Sequence, residues 1–483
     1  MSSTTSGKGP KPVPKYLHQL RPVLNQPPSK QGAHGWGSRT DGLACRPIYC
    51  GYQRFVEIRG EEPGKPGGAD AITRVPCGAV SAVAARARSG FYDFEKDNER
   101  LAEPISGITA PWGAALIANY RSMLLAHAVF ALAEESVDTL VMTWSTTFVD
   151  FVRWIDEEWG TLVDAISSGV LPQFPETGSV YVQIATTFTA NQSRADALRK
   201  IGPPSQTAVG WALKVWPKLE LLTAVCTGTF SRVYSEVRGY IGPDTPVRCP
   251  IYGCTEGSVG LAYHDSLPDI VKMLTDNYIE MLEVLPGNED GDIKPLWQVE
   301  TDKTYEPVLT TQDGLWRYRT MDAIRVVGFS PKDGIPLIEY KERRNQSMWV
   351  AQALVSQADI LASIDGISAF DNVEFTTWWD DRSHPPTVGF FIESTPNTRA
   401  LTSSARDEIL KGLIEANINF SSGAERGLPV RPTIRLLAPG SFSDFRSWKG
   451  TVNGVGSSQI KLPIITLDTK AQEFLLSKVV AEI

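Results

Sequence analysis

The stretch Ile251-Tyr252-Gly253-Cys254-Thr255-Glu256-Gly257-Ser258 gathers an aromatic ring, a glycine, a hydroxyl and a carboxylate within a few positions. Together such groups suit a nucleotide: a ring face for a base, a backbone that can come close, a hydroxyl near phosphate, a carboxylate for a divalent cation. The stretch follows the extended segment Thr245-Pro246-Val247-Arg248-Cys249-Pro250, so a plain turn after a strand fits it as well. A second candidate is Ser2-Ser3-Thr4-Thr5-Ser6-Gly7-Lys8-Gly9-Pro10-Lys11. Successive small residues let backbone N–H groups converge on an anion, and a lysine adds a mobile point charge. It is not a Walker loop, which needs G-x-x-x-x-G-K-[ST], and its composition also fits a polar tail. A third candidate is Asp322, in a turn-like break just beyond Arg317 and Arg319. A carboxylate there can take both hydroxyls of a ribose while the arginines meet phosphate. A surface ion pair explains those residues equally well.

These residues need elements to hold them. Thr139-Leu140-Val141-Met142-Thr143-Trp144 reads as a buried strand, followed by a helix over 145–168 capped by Ser145 or Thr146 and stopped at Gly169. Leu219 to Val225 is another apolar strand, running through Thr227-Gly228-Thr229 into a helix from Phe230 to Tyr240. That alternation is an α/β rhythm, with the turns at strand C-termini where such folds bind ligands. Upstream, the spacing predicts one long buried helix over 112–135, with His127 on its apolar face as a hydrogen-bonded core histidine. Strands are predicted over 52–58, 278–284 and 336–340, and a β-meander over 305–328. In that meander Arg317 and Arg319 share one face and Trp316 and Tyr318 the other. The acidic loop Asn288-Glu289-Asp290-Gly291-Asp292 reads as a solvated turn. Beyond Lys341-Glu342-Arg343-Arg344-Asn345 the pattern becomes a compact α+β unit: helices over 350–364, 402–418 and 469–481, and strands over 373–378, 387–393 and 433–437.

Composition narrows the class. At 483 residues and 53.0 kDa, two or more domains are expected. Hydrophobic content of 42% with 21% charged residues is that of a soluble globular protein, and a net charge of −8 argues against a nucleic-acid partner. None of the six cysteines forms a C-x-x-C pair and the five histidines form no ligand cluster, so reduced, buried thiols in a cytoplasmic protein are expected. No apolar run is long enough for a membrane span, and the apolar stretch Met123 to Ala133 is interrupted by His127.

In combination the motifs resemble a known family. Tyr252-Gly253-Cys254-Thr255-Glu256 resembles the tyrosine/small/Thr-Glu motif of the adenylate-forming enzymes, the superfamily of acyl-CoA synthetases and firefly luciferase. More closely, the chain resembles the plant-type acyl acid–amido synthetases, which join amino acids to jasmonate, auxin or benzoates. Thr310 to Asp322 is similar to their T-T-x-x-G-L-Y-R-Y-R-x-G-D segment, with Met321 where a glycine is usual. Ser2 to Lys11 resembles their S-S-G-T-S-G-G loop, with Thr4 and Lys8 each in place of a glycine. Ser457-Ser458-Gln459-Ile460-Lys461-Leu462-Pro463 resembles Q-Y-K-x-P-R, with Ile464 in place of the arginine. The resemblance runs from Ser2 to the C-terminus and implies a chain N-terminally truncated relative to the family, whose members carry a substantial stretch before the first motif.

The resemblance implies an α/β fold: a large adenylate-forming N-terminal domain over 1–342, with mixed sheets flanked by helices and a β-meander or barrel part. A small mobile α+β domain over 343–483 follows. It implies a ligase using ATP and Mg²⁺ to adenylate a small carboxylic acid and pass the acyl group to an amino acid, in a monomer with no nucleic-acid or membrane partner. In that scheme Ser3, Thr5, Ser6, Gly7 and Lys11 hold the β- and γ-phosphates. Tyr252 and Gly253 flank the adenine, Thr255 touches the α-phosphate and Glu256 holds Mg²⁺. Asp322 binds the ribose, and Arg344 or Arg343 sits at the hinge. Lys461 reaches the α-phosphate from the small domain. Acyl-acid contacts would come from 112–135, 145–168 and the surroundings of Thr229 and Phe230. A thioester-forming ligase on the same core and a catalytically silent nucleotide-binding homologue are the alternatives.

Overall fold

The computed structural model describes residues 12–15, 42–60, 71–207, 209–265, 267–350, 353–371, 373–382, 386–399, 401, 403–420 and 431–483. The N-terminal part is built on a parallel sheet in the order Ala44–Cys45, Thr139–Trp144, Leu221–Val225, Val247–Arg248. Thr139–Trp144 is buried at every position but its last, as a parallel strand covered on both faces must be. Its cover includes the helices Tyr120–Ala133, Ser145–Glu157 and Trp159–Ser168, whose apolar side chains share one core with the sheet.

The predicted helix over 112–135 is two pieces. Trp112–Leu116 is a 3₁₀ turn, Ile117 is extended, and the α-helix Tyr120–Ala133 starts where the Asn119 carboxamide accepts the Ser122 N–H at 3.0 Å. Nor does Ser145 or Thr146 cap the next helix. Ser145 is its first residue, and its hydroxyl instead donates to the Phe230 carbonyl at 2.6 Å, tying two loops of the sheet together. The predicted stop at Gly169 is there, at φ 74°. However, the helix breaks at Glu158 into Ser145–Glu157 and Trp159–Ser168.

Next comes a nine-stranded antiparallel sheet. Its order is Glu289–Pro295, Tyr278–Leu285, Thr304–Thr310, Asp322–Phe329, Pro336–Arg343, Leu267–Met273, Ser258–His264, Ile251–Gly253, with Tyr318–Arg319 also paired to Thr304–Thr310. The predicted meander lies at its centre. The acidic loop 288–292 is solvent-exposed as predicted, but it is more than a turn: it opens the edge strand Glu289–Pro295, and Asp290 pairs with Arg319 and Arg344.

Beyond Arg343 the chain packs into clusters of its own, one of them running from Met348 to Ile465. Ser347–Val350 and Ala353–Ser356 pair as antiparallel strands where the first half of a helix is predicted. Met348, Val350, Ala353 and Val355 are buried while Trp349 and Leu354 are exposed, which is the period of a strand. The helix Gln357–Ser363 starts only at the capping box of Ser356 and Asp359. A second sheet has the order Phe375–Asp380, Thr387–Glu393, Thr433–Leu437, Val479–Glu482. Its last strand replaces the end of the predicted C-terminal helix, which stops at Leu476. The helix Ser441–Asn453 had no counterpart in the sequence reading. Among the described residues, no helix is long and apolar enough to cross a membrane.

Candidate functional site

Ile251–Gly253 and Ser258–His264 pair antiparallel, and the turn between them carries Cys254, Thr255, Glu256 and Gly257. The Cys254 N–H donates to the Gly257 carbonyl at 3.0 Å, closing the turn. A Cβ on Gly253 would stand 2.9 Å from that same carbonyl oxygen, so this position has to be glycine. Burial pushes the Cys254 thiol up to about 12, which leaves it an inert neutral group.

Tyr252 and Asp322 meet at the head of this turn. The Tyr252 hydroxyl donates to Asp322 Oδ2 at 3.1 Å, and Arg343 Nη1 stands 3.7 Å from Asp322 Oδ1. Asp322 and Arg343 are register partners on adjacent strands, so this approach is fixed by the sheet. Burial raises the Asp322 carboxyl, while Arg343, Lys461 and the Tyr252 hydroxyl pull it back down. Tyr340 stands 5.9 Å from the Tyr252 ring, and Gly228 of the Thr227-Gly228-Thr229 turn lies against Tyr340, where a Cβ would be 3.1 Å away.

Glu256 is buried, and its Oε1 accepts the Tyr318 hydroxyl at 2.7 Å. Its backbone carbonyl accepts the Lys15 ammonium at 3.0 Å, and Lys15 also pairs with Asp313. Lys15 thus ties the chain just after the Ser2–Lys11 loop to both other motifs. Ser3, Thr5, Ser6, Gly7 and Lys11 themselves lie outside the described residues. The buried hydroxyl of Thr311, whose side chain lies beside Gly257, and Asp313 Oδ1 have no hydrogen-bond partner among the described residues.

Lys461 arrives from the C-terminal part. Its ammonium lies 4.5 Å from the centroid of the Trp144 ring and 5.8 Å from that of Phe230, and those two rings stack at 4.5 Å. Burial lowers the Lys461 ammonium, and the Asp322 carboxylate partly restores it. Arg344 is placed differently. Its guanidinium is 4% exposed and bonded to Glu306 Oε2, Asn288 Oδ1 and the Asn288 carbonyl at 2.6–2.7 Å, with Asp290 at 2.9 Å. Arg317 and Arg319 likewise take carboxylates, Glu280 for the first and Glu306 and Asp290 for the second. Lys15, Tyr318 and Trp144 are not among the predicted site residues, whereas Phe230, stacked on Trp144, lies in the stretch expected to meet the acyl acid. Tyr318, inside the 310–322 motif, carried a signal that could have marked it, and Lys15 and Trp144 did not.

Tyr252, Asp322 and Arg343 are in direct contact, and Glu256 and Lys461 stand within electrostatic reach of the same neighbourhood, so four separate stretches contribute to it. Among the described residues no three His, Cys, Asp or Glu side chains gather as a metal cage. That donor set still fits Mg²⁺, which is usually held by one or two carboxylates together with substrate phosphates.

The family models agree with the motif reading. The GH3 family N-terminal domain matches residues 73–247 and the GH3 family central domain matches 270–343, together more than half of the chain. The chain belongs to the GH3 family. A probable indole-3-acetic acid-amido synthetase of Oryza sativa subsp. japonica is 25% identical over 393 residues, 78% of this chain and 64% of that protein. A jasmonoyl–L-amino acid synthetase of the same rice is 23% identical over 414 residues, 79% of this chain and 69% of its own length. The match thus spans about two thirds of the relatives' length. Among solved structures, a GH3.15 acyl acid amido synthetase superposes with a TM-score of 0.70 at 19% identity, over 92% of this chain and 74% of that one. The same enzyme in complex with 2,4-DB gives 0.71, over 100% and 82%. These two show that the mixed α/β fold is shared.

Proposed function

We propose that this GH3 protein is an ATP-dependent ligase that adenylates a small carboxylic acid and transfers the acyl group to the amino group of an amino acid. The observation that carries the reading is the convergence of Tyr252, Glu256, Asp322 and Lys461, with Arg343 beside them. The names of its relatives as amido synthetases support it.

In the first half-reaction a carboxylate oxygen attacks the α-phosphorus of ATP and pyrophosphate leaves. In the second, the amine attacks the acyl carbon, AMP leaves and a proton is released. Two anions must meet in the first step, so the protein has to neutralise charge where it develops. Lys461 and Arg343 supply fixed positive charge, and Asp322 orients the ribose hydroxyls. The Tyr252 ring flanks the base, and Thr255 meets the α-phosphate. Ser3, Thr5, Ser6, Gly7 and Lys11 hold the outer phosphates, with Lys15 anchoring the end of that loop. Glu256, oriented by Tyr318, would hold Mg²⁺, whose chemistry there is to neutralise phosphate charge. Arg344 stabilises the sheet beneath the site. A division into units over 1–342 and 343–483, the second able to rotate, a monomeric state and a cytoplasmic location belong to the same proposal.

ATP–pyrophosphate exchange across a panel of carboxylic acids tests the reading. Protein that binds ATP but exchanges with no acid would be a silent homologue. Mass analysis after adding amino acids or coenzyme A separates an amide-forming from a thioester-forming enzyme.

A further inference from the structure

The helix Ser441–Asn453 carries a charge into the interior. Its Arg446 side chain is 4% exposed and takes two carboxylates from different parts of the chain. One is Glu374, at the entry to the strand Phe375–Asp380, in the C-terminal part. The other is Asp150, on the helix Ser145–Glu157 of the N-terminal part, at 3.6 Å. Asp150 is itself buried, and it also accepts the Tyr120 hydroxyl at 3.1 Å and Arg153 at 2.7 Å. A buried ion pair spanning two packing units depends on their placement: parting them would leave Arg446 with Glu374 alone and Asp150 with Arg153 alone, each losing part of its compensation in a low dielectric.

The same helix begins beside Trp144, under the Lys461 ammonium. Asp150 lies six positions after Trp144, about 9 Å along a helix at 1.5 Å per residue. One helix therefore receives the segment 441–461 at two points. A third contact lies between them in sequence. A Cβ on Gly456 would stand 2.6 Å from Tyr49 Cδ1, and one on Gly454 would stand 3.0 Å from Arg54 Cγ, so this backbone rests directly on the N-terminal part.

We propose that the Arg446–Asp150 pair is a docking contact that positions Lys461 at the nucleotide site, which makes both residues positioning residues for adenylation. The proposal rests on the ligase reading for what Lys461 does there. The face of an aromatic ring attracts an ammonium without fixing its direction, whereas the buried Arg446 guanidinium, hydrogen-bonded to Glu374 within its own part, stands at a set 3.6 Å from the buried Asp150 carboxylate of the other. Arg446–Glu374 lies within the C-terminal part, so it separates docking from local folding.

The test compares Asp150→Asn, Asp150→Glu and Glu374→Gln by amide hydrogen exchange of residues 457–463. It adds ATP–pyrophosphate exchange with indole-3-acetate as probe acid. Asp150→Asn is expected to speed exchange at 457–463 at least tenfold, leaving Thr387–Glu393 unchanged. It should also lower kcat at least tenfold with the KM for ATP within threefold. Asp150→Glu should restore both, and Glu374→Gln should leave 457–463 within threefold of wild type. Wild-type protection of 457–463 in Asp150→Asn, or an equal loss in Glu374→Gln, overturns the docking contact. Lost protection with full kcat overturns the positioning role. If wild-type protein exchanges no pyrophosphate with any acid, the ligase reading falls by itself, and the amide-exchange arm still decides whether the pair docks the segment.

Discussion

The Tyr318 hydroxyl donates to Glu256 Oε1 at 2.7 Å, joining two motifs 62 positions apart in the chain. Burial and the carboxylate both drive the Tyr318 phenol up, so it remains a proton donor across the working pH range. A hydrogen bond to a charged group is worth about 1.5–3 kcal/mol, so Tyr318→Phe should cost roughly ten- to a hundredfold in adenylation. The loss should appear in kcat and in a raised Mg²⁺ requirement, with ATP binding retained. Unchanged exchange kinetics would remove Tyr318 from the site.

The neighbouring arginines should separate in the same assays. Glu306 is fully buried and holds both Arg344 and Arg319. Removing Arg344 leaves the buried Glu306 with Arg319 as its remaining cation and takes away one charge-assisted hydrogen bond, so Arg344→Leu should destabilise by about 1–3 kcal/mol. The folded fraction should keep its KM for ATP. Arg343→Gln, beside Asp322 and partly exposed, should raise that KM several-fold with stability within about 0.5 kcal/mol of wild type. A KM effect confined to Arg344→Leu would reverse these roles.

What could be read in advance follows from the range of the interactions. Thr139–Trp144, Thr387–Glu393 and Thr433–Leu437 match their predicted limits at both ends, because apolar β-branched runs bounded by turns are a local signal. The motif around Glu256 and the aspartate at 322 were legible as short strings. The sheet order was not, since it pairs Asp322–Phe329 with Pro336–Arg343 and that strand with Leu267–Met273. The Lys15–Asp313 and Arg446–Asp150 pairs were invisible for the same reason: each joins residues nearly three hundred positions apart. The strands Ser347–Val350 and Ala353–Ser356 lie where the apolar spacing also fits the period of a helix. Ile464, a departure from the motif, packs in the C-terminal core, and its carbonyl accepts the Thr377 N–H at 2.7 Å.

Met321 takes the position before Asp322 at φ 59°, a left-handed conformation that costs an L-residue about 1–2 kcal/mol. The turn holds because its N–H donates to Glu306 Oε1 at 3.0 Å and its carbonyl accepts the Arg344 N–H at 2.8 Å. Met321→Gly removes the strain but frees the unfolded chain by about 0.5–1 kcal/mol, so a net gain of up to about 1 kcal/mol is expected. Urea denaturation should show a higher midpoint at constant slope. A lower midpoint would mean that the methionine side chain contributes more than its backbone costs.

His127 sits on the apolar face of Tyr120–Ala133 as anticipated, 1% exposed, yet neither ring nitrogen has a hydrogen-bond partner among the described residues. Burial, with Arg46 adding to it, lowers its pKa to about 3. The unfolded chain protonates near pH 6.5, where the folded protein still holds a neutral ring. Above about pH 6.5 both states are neutral and the residue contributes no pH dependence. Between there and about 3 the unfolded state binds the extra proton, so stability falls as pH falls, by up to about 1.4 kcal/mol per pH unit. His127→Met keeps the apolar volume and removes the titration. The difference in unfolding free energy between variant and wild type should therefore grow in the variant's favour from pH 6.5 down to pH 4. A difference that stays flat with pH would show that the ring is paired or hydrated in solution.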